Sequence, residues 1–218
     1  MSRKIVRLTL DNLEALPSPC RSCLFWERDP VRRSRAEDPA SEKDAWVSHV
    51  LREWGSCGRV ALVDDVPVGY MVYAPEAFVP GAAGFPTAPV SPDAVLLTTA
   101  YVAPEWANGG LGRMLVQGMA RDLIKRDIRA IEAFGNTRGK GTMSCVLPVE
   151  FLGSVGFKTQ RAHSTTPRMR MELRAAITWR TEVEAALERL VGVVRPTPKP
   201  TGAPKATRSR QVASRTQQ

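Results

Sequence analysis

Histidine is nearly absent from this 218-residue chain, which has only His49 and His163, and cysteine occurs four times. One CxxC spacing exists, Cys20-Arg21-Ser22-Cys23, with no second CxxC and no HxxxH beside it. Cys57, Cys145 and His163 are the remaining soft-ligand candidates, so the expectation is no metal site. Half a zinc site or a redox pair remain as alternative readings of the CxxC. Met1–Asn12 has no long apolar core, which argues against a signal peptide and a membrane span. The expected setting is therefore cytoplasmic, with reduced cysteines.

Acidic residues are missing from 195–218, which carries Arg195, Lys199, Lys205, Arg208, Arg210 and Arg215, a charge of +6. The whole chain is +9, so the remainder is only about +3, and basicity is mostly a property of this tail. Prolines, small polar residues and the lack of an apolar cluster predict disorder there. Such a tail contacts nucleic acid weakly and salt-dependently, or an acidic protein, or nothing. It has no aromatics for base stacking, and no nucleic-acid-binding module is visible. With 43% hydrophobic residues, the rest is long enough for one domain with a sizeable core. No internal repeat is apparent.

Periodicity places the elements. Ser41-Glu42-Lys43-Asp44 resembles a capping box, and Trp46, Val47, Val50, Leu51 and Trp54 form an apolar face on a helix over 41–54. Cys57–Tyr73 contains two β-rich runs around Asp64-Asp65, a hairpin signal. Asp93–Val102 is a near-continuous apolar run, as in a strand buried on both faces. Leu111–Arg126 has helical spacing, Arg129–Gly135 reads as the next strand, and Thr165–Arg174 alternates as a half-buried strand. Ile177–Val194 reads as an amphipathic helix. It packs on the domain or pairs with a second copy to make a homodimer, and packing in cis is the expectation.

The most informative stretch is VAPEWANGGLGRMLVQGM, residues 102–119. It runs from a strand end through a turn into a helix. Gly109, Gly110 and Gly112 remove side chains that would keep a ligand from the backbone, and the helix start offers unpaired N–H groups and a positive dipole end. That arrangement suits a phosphate or pyrophosphate. A P-loop would need Gly-Lys-Ser/Thr, whereas Gly112 is followed by Arg113-Met114. A dinucleotide fingerprint would have a third glycine at Leu115 and would open the first βαβ unit.

The stretch resembles motif A of the GNAT (Gcn5-related) N-acyltransferases, Arg/Gln-x-x-Gly-x-Gly/Ala, and Pro104-Glu105-Trp106 is also similar to that family. Pro67-Val68-Gly69-Tyr70 resembles the family's third strand, and Leu147–Phe157 (LPVEFLGSVGF) its motif B. The resemblance covers residues 1–175, and its specificity lies in the order of the parts. The segment CRSCLFWERDP resembles the CRSCLFWE-type N-terminal segment of bacterial members, and it is expected to form a turn and short helix near the acceptor site. The resemblance implies an α/β fold with a twisted mixed sheet flanked by helices. It also implies acetyl-CoA as co-substrate, bound by Val102, Ala107, Asn108, Gly109, Gly110, Leu111, Gly112 and Arg113, with its pyrophosphate at the glycine turn. Two positions depart from the pattern. The family's Arg/Gln falls on Ala107, and the motif B tyrosine that protonates the departing thiolate falls on Leu152; an upstream position that is often Asn is Cys145.

Acyl transfer to an amine needs a base, an acid for the thiolate and donors for the oxyanion. The family takes those donors from backbone N–H groups at the end of the strand carrying Tyr101 and Val102. Glu132, among Ile131, Ala133 and Phe134, is the base candidate, since burial would raise its pKa. Tyr101 and Tyr70 are acid candidates, with core packing as the competing reading. His49 and His163 receive no catalytic role, although His163 is placed to border the acceptor cleft. The long Pro/Gly-rich loop over 77–93 is a candidate cover for the acceptor. The reading is N-acetyl transfer from acetyl-CoA to an unidentified amine by direct attack. The alternatives are a catalytically weak acyl-CoA-binding regulator, or a nucleic-acid-associated accessory protein acting through its tail.

Overall fold

Strand alternation divides the apolar side chains of one sheet between two cores. The structure, a computed structural model, describes residues 1–16, 20–139 and 145–173. In chain order the elements are β1 (Arg3–Arg7), α1 (Pro30–Ser34), α2 (Pro39–Glu53), β2 (Gly58–Val63), β3 (Val66–Ala74), β4 (Ala94–Val102), α3 (Leu111–Ile124), β5 (Ala130–Asn136), β6 (Leu147–Pro148), α4 (Val149–Ser154), β7 (Lys158–Arg161) and β8 (Arg168–Glu172). The strands lie in the order β1-β2-β3-β4-β5-β8-β7, with β6 paired to β5. The β4–β5 and β5–β6 pairs are parallel and the others antiparallel. The mixed α/β architecture read from the sequence is therefore the architecture observed.

One face packs against α3 and α4. Leu111, Leu115, Met119 and Leu123 of α3 lie over Val95, Leu97, Ile131 and Ala133. The opposite face packs under α2 and the two long connections, where Trp46, Val47 and Val50 meet Tyr70, Val72, Leu96 and Phe134. Burial of both faces explains why β4 reads as a near-continuous apolar run.

The hairpin turns at Asp64 and Asp65, both at positive φ (48° and 65°), a conformation that short polar side chains tolerate. Helix α2 starts two residues before the expected Ser41. Asp38 caps it by accepting from Ser41 N–H at 3.1 Å. The following Pro39, at the first helical position, has no N–H to leave unpaired, so the Asp-Pro pair overrides the Ser41 box. Strands β1 and β7 carry no clear pattern in sequence. Both are exposed edge strands whose register comes from the partner. The helix read over 177–194 and the basic tail lie outside the described residues.

A bulge at Thr98 positions the site. Across β3–β4, Val72 faces Thr99 and Tyr73 faces Leu97, which leaves Thr98 as the extra residue. Its hydroxyl donates to Val72 O at 3.0 Å. The inserted residue shifts the alternation, so Thr99 and Tyr101 fall on the same face as Leu96, and Ala100 and Val102 on the α3 face.

The end of α3 is fixed by a buried polar network. Asp122 pairs with Arg59 at 2.8 Å and Arg126 at 3.3 Å, and it accepts from Tyr73 Oη at 3.1 Å. Arg126 in turn donates to Trp54 O and Gly55 O at the end of α2. Burial opposes the Asp122 charge, yet the Ser56 hydroxyl and the Arg59 and Arg126 guanidiniums hold its carboxyl below the usual range. Burial also pushes the Tyr73 phenol well above its ordinary value.

Candidate active site

Two adjacent strands part company at the centre of the sheet. The β4–β5 register runs Ala94↔Ala130, Val95↔Ile131 and Leu96↔Glu132 and stops there, while β4 continues to Val102 and β5 to Asn136. Beyond that point β4 is paired on its β3 side only, and β6 joins β5 near its end. Ala103 N–H donates back to Val68 O at 2.8 Å. Since amides alternate along a strand, the Val102 N–H points the other way, into the gap that β5 leaves.

The chain leaves β4 through a short 3-10 turn, Pro104–Trp106, and enters α3 by way of the glycines. Asn108 and Gly110 both have positive φ, 62° and 80°. Gly110 is the N-cap, and a Cβ there would meet nothing within 4 Å. The first intrahelical bond is Met114 N–H to Gly110 O at 3.1 Å, so the Leu111 and Gly112 amides lie ahead of it without an intrahelical acceptor. Ala107, Asn108, Gly109, Gly110 and Arg113 are exposed, whereas Leu111 is buried and anchors the turn. Gly112 is needed for close approach, since a Cβ there would lie 3.1 Å from the Phe151 ring of α4. An anion at this turn fits the amides present, the positive helix end and the open space at Gly110.

Arg3 was not legible as a site residue. From β1 its guanidinium donates to Gly109 O at 2.7 Å, which adds a second cation beside Arg113 to the turn where Ala107 carries none. Only the β1–β2 register, invisible in the sequence, places it there.

Leu152 is fully buried in the core beneath α4, so its position contributes packing and no acid. Tyr101 is half-buried on the other face, and its ring stacks on Tyr70 at 5.8 Å between centroids. Tyr70 is 1% exposed, and among the described residues none stands within hydrogen-bonding geometry of its hydroxyl. Burial drives that phenol far up, and the Cys20 thiol beside it adds to the shift. The hydroxyl opens on a small pocket bordered by Cys20, Cys23, Trp26, Lys43, Thr99 and Cys145.

Glu132 is fully buried, but its surroundings are not only apolar. Oε1 accepts from Arg170 Nη1 at 3.1 Å, Oε2 accepts from Ser91 N–H at 3.1 Å, and Arg168 Nε lies 3.3 Å from Oε2. Arg170 and Arg168 lie opposite Glu132 and Phe134 across β5–β8, so the strand read as half-buried supplies the charges. The sequence reading missed them because register cannot be read from alternation alone. The carboxylate sits at the closed end of the gap, with both oxygens committed. His163 Nδ1 accepts from Thr165 and Thr166 N–H groups, which makes it a loop cap. His49 is exposed beside Arg52.

Segment 20–29 is tied to the pocket by Trp26. Its ring stacks on Phe85 and Phe134, and its Nε1–H donates to Cys145 O at 2.8 Å. Trp26 is thus the meeting point of the CxxC segment, the 77–93 loop and β5. Below it Lys43 pairs with Glu27, and both are about 95% buried. Lys43 also donates to Cys23 O at 2.9 Å. Among the described residues no group of three or more His, Cys, Asp or Glu side chains is arranged to hold a metal ion. None of their helices is long and apolar enough to cross a membrane.

Comparisons with known proteins agree with this geometry. The chain is similar to the PaiA N-acetyltransferase from Thermoplasma acidophilum, solved in complex with coenzyme A, at 15% identity over 79% of this chain and 99% of that one, with a TM-score of 0.53. It is also similar to AAC(6')-Ib, solved in complex with ribostamycin and coenzyme A, at 15% identity over 82% and 97% of the two chains and a TM-score of 0.52. A putative acetyltransferase of the GNAT family from Desulfovibrio desulfuricans matches at 19% identity over 79% and 99%, with a TM-score of 0.51. At these identities the likeness is one of fold. No curated protein matches the chain. The model of the acetyltransferase (GNAT) family matches residues 20–142, more than half of the sequence. The parted strands and the glycine-opened helix therefore have a family: this chain belongs to the GNAT acetyltransferases.

Proposed function

We propose that this protein transfers an acetyl group from acetyl-CoA to an amine, by direct attack within a ternary complex. The observation that carries the reading is the gap between β4 and β5, with the exposed glycine turn on the α3 face and the Tyr70 pocket on the other. The co-substrate supplies a thioester carbonyl and a thiolate leaving group. The Leu111 and Gly112 amides, the α3 dipole, Arg113 and Arg3 bind its pyrophosphate. The Val102 N–H donates to the developing oxyanion. Tyr101, on the pocket face of β4, protonates the departing thiolate in place of the tyrosine that Leu152 replaces. The Tyr70 hydroxyl, buried and without a hydrogen bond to a described residue, hydrogen-bonds the acceptor. We assign Glu132 to holding the closed end of the gap, because an oxygen pair engaged by two arginines and an amide is poorly disposed to collect a proton.

Calorimetric titration with acetyl-CoA, CoA and ATP in parallel tests the reading. Binding of the first two but not ATP, lost in Gly110→Val, is the expected result, followed by an amine screen for released thiol. Absence of CoA binding overturns it.

A further inference from the structure

The CxxC spacing suggests that Cys20 and Cys23 form a pair, but the fold pairs Cys23 differently. Its sulfur lies 3.3 Å from that of Cys145, 122 residues away, whereas Cys20 stands beside the Tyr70 hydroxyl. All four cysteines carry thiols. The two backbones at Cys23 and Cys145 are held in place. Trp26 Nε1–H donates to Cys145 O, and Lys43 Nζ donates to Cys23 O. The sulfurs need to approach by little more than about 1 Å to reach the ~2.05 Å of a disulfide. With both carbonyls tied, the side chains are the parts that have to move to close that distance.

We propose that Cys23 and Cys145 form a peroxide-sensitive dithiol, whose oxidation to a disulfide staples the 20–29 segment to the approach of β6 and narrows the pocket beneath Tyr70. The Cys23 thiolate attacks one oxygen of hydrogen peroxide. The O–O bond breaks, Cys23 becomes a sulfenic acid, and hydroxide leaves and is protonated to water. Cys145 then attacks the sulfenic sulfur, the S–O bond breaks, and a second water leaves with the Cys145 proton. Two thiols thus give up two electrons and one peroxide becomes two waters; a dithiol reductant reverses the change.

The local chemistry favours attack from Cys23. The sulfur–sulfur hydrogen bond with Cys145, in which either thiol can donate, is the main influence that lowers the Cys23 pKa to about 6, against the opposing effect of burial. Cys57 is an internal contrast, because burial pushes that thiol up to about 12 and keeps it unreactive.

The test is peptide mapping of the full-length protein after one equivalent of hydrogen peroxide, without reduction. A Cys23–Cys145 cross-link that disappears on dithiothreitol treatment is expected, and Cys57→Ser is expected to leave it unchanged. A Cys20–Cys23 cross-link, or Cys23 as sulfinic acid with Cys145 still alkylatable, overturns the proposal. Iodoacetamide alkylation of Cys23 at pH 7 should slow by at least about tenfold in Cys145→Ala, because the alanine leaves no donor to stabilise the Cys23 thiolate. The wild-type map decides even where a variant misfolds. Neither readout uses acetyl-CoA, so a failure here is distinct from a failure of the acetyltransferase reading.

Discussion

Glu132 and Arg170 stand directly opposite each other across β5–β8, joined at 3.1 Å, and Arg170 grips Asp93 with two further bonds of 2.9 Å. The Asp93 bonds hold the Arg170 charge firmly, raising its pKa, and the same guanidinium keeps the Asp93 carboxyl below its usual range. One arginine therefore connects the end of the 77–93 loop, the closed end of the β4–β5 gap and β8.

Replacing Glu132 distinguishes a structural clamp from a base. Glu132→Gln leaves Arg168 and Arg170 facing a neutral amide, and breaking a buried pair in this way costs about 3 kcal/mol. Urea denaturation should show that loss in midpoint. A catalytic base would give the opposite pattern, with turnover collapsing at unchanged stability.

Gly112 and Phe151 couple the two parts of the binding region. Gly112→Val drives side-chain atoms into a ring already 3.1 Å from the Cβ position, so acetyl-CoA affinity should fall at least about tenfold. Phe151→Ala in the same molecule relieves the clash and should recover part of the affinity. That non-additivity, measured by calorimetry, checks that α4 sets the width of the turn.

Arg3 offers a test based on salt. Arg3→Ala removes a guanidinium from Gly109 O, and CoA affinity should weaken several-fold at low ionic strength. The gap between wild type and variant should narrow as salt rises. A gap independent of salt would mean that Arg3 only steadies the loop backbone.

The elements that face one core on each side were legible because their apolar runs obey a period. The 111–124 helix, the hairpin at Asp64-Asp65 and the strands β4 and β5 all fall where the residues predict. What stayed hidden depends on register and on distance along the chain. Arg168 and Arg170 read as the polar half of an alternating strand until β8 is set beside β5. Lys43 reads only as part of the Ser41–Asp44 capping box, yet it is buried against Glu27. Cys145 reads as a substitution in motif B, and only folding brings it to Cys23. The glycine turn was readable because its geometry is local to six consecutive residues. The thiol-lined pocket was not, because it is assembled from segments more than a hundred residues apart.

Asp122 should set how the domain responds to acid. Its folded-state carboxyl is held below the unfolded value of about 3.9, so the unfolded chain binds the proton more readily. The stability this group contributes is fully present above that value and drains away as pH falls through the folded-state pKa. Asp122→Asn removes the contribution at every pH and leaves Arg59, itself buried, without its anion, at a cost of about 3 kcal/mol near neutrality. Thermal unfolding from pH 7 to pH 3 should therefore show a wide, constant gap between wild type and variant down to about pH 5, closing below about pH 4. A gap that stays constant to pH 3 would mean that Asp122 acts by shape and hydrogen bonding alone, and that other carboxylates govern acid unfolding.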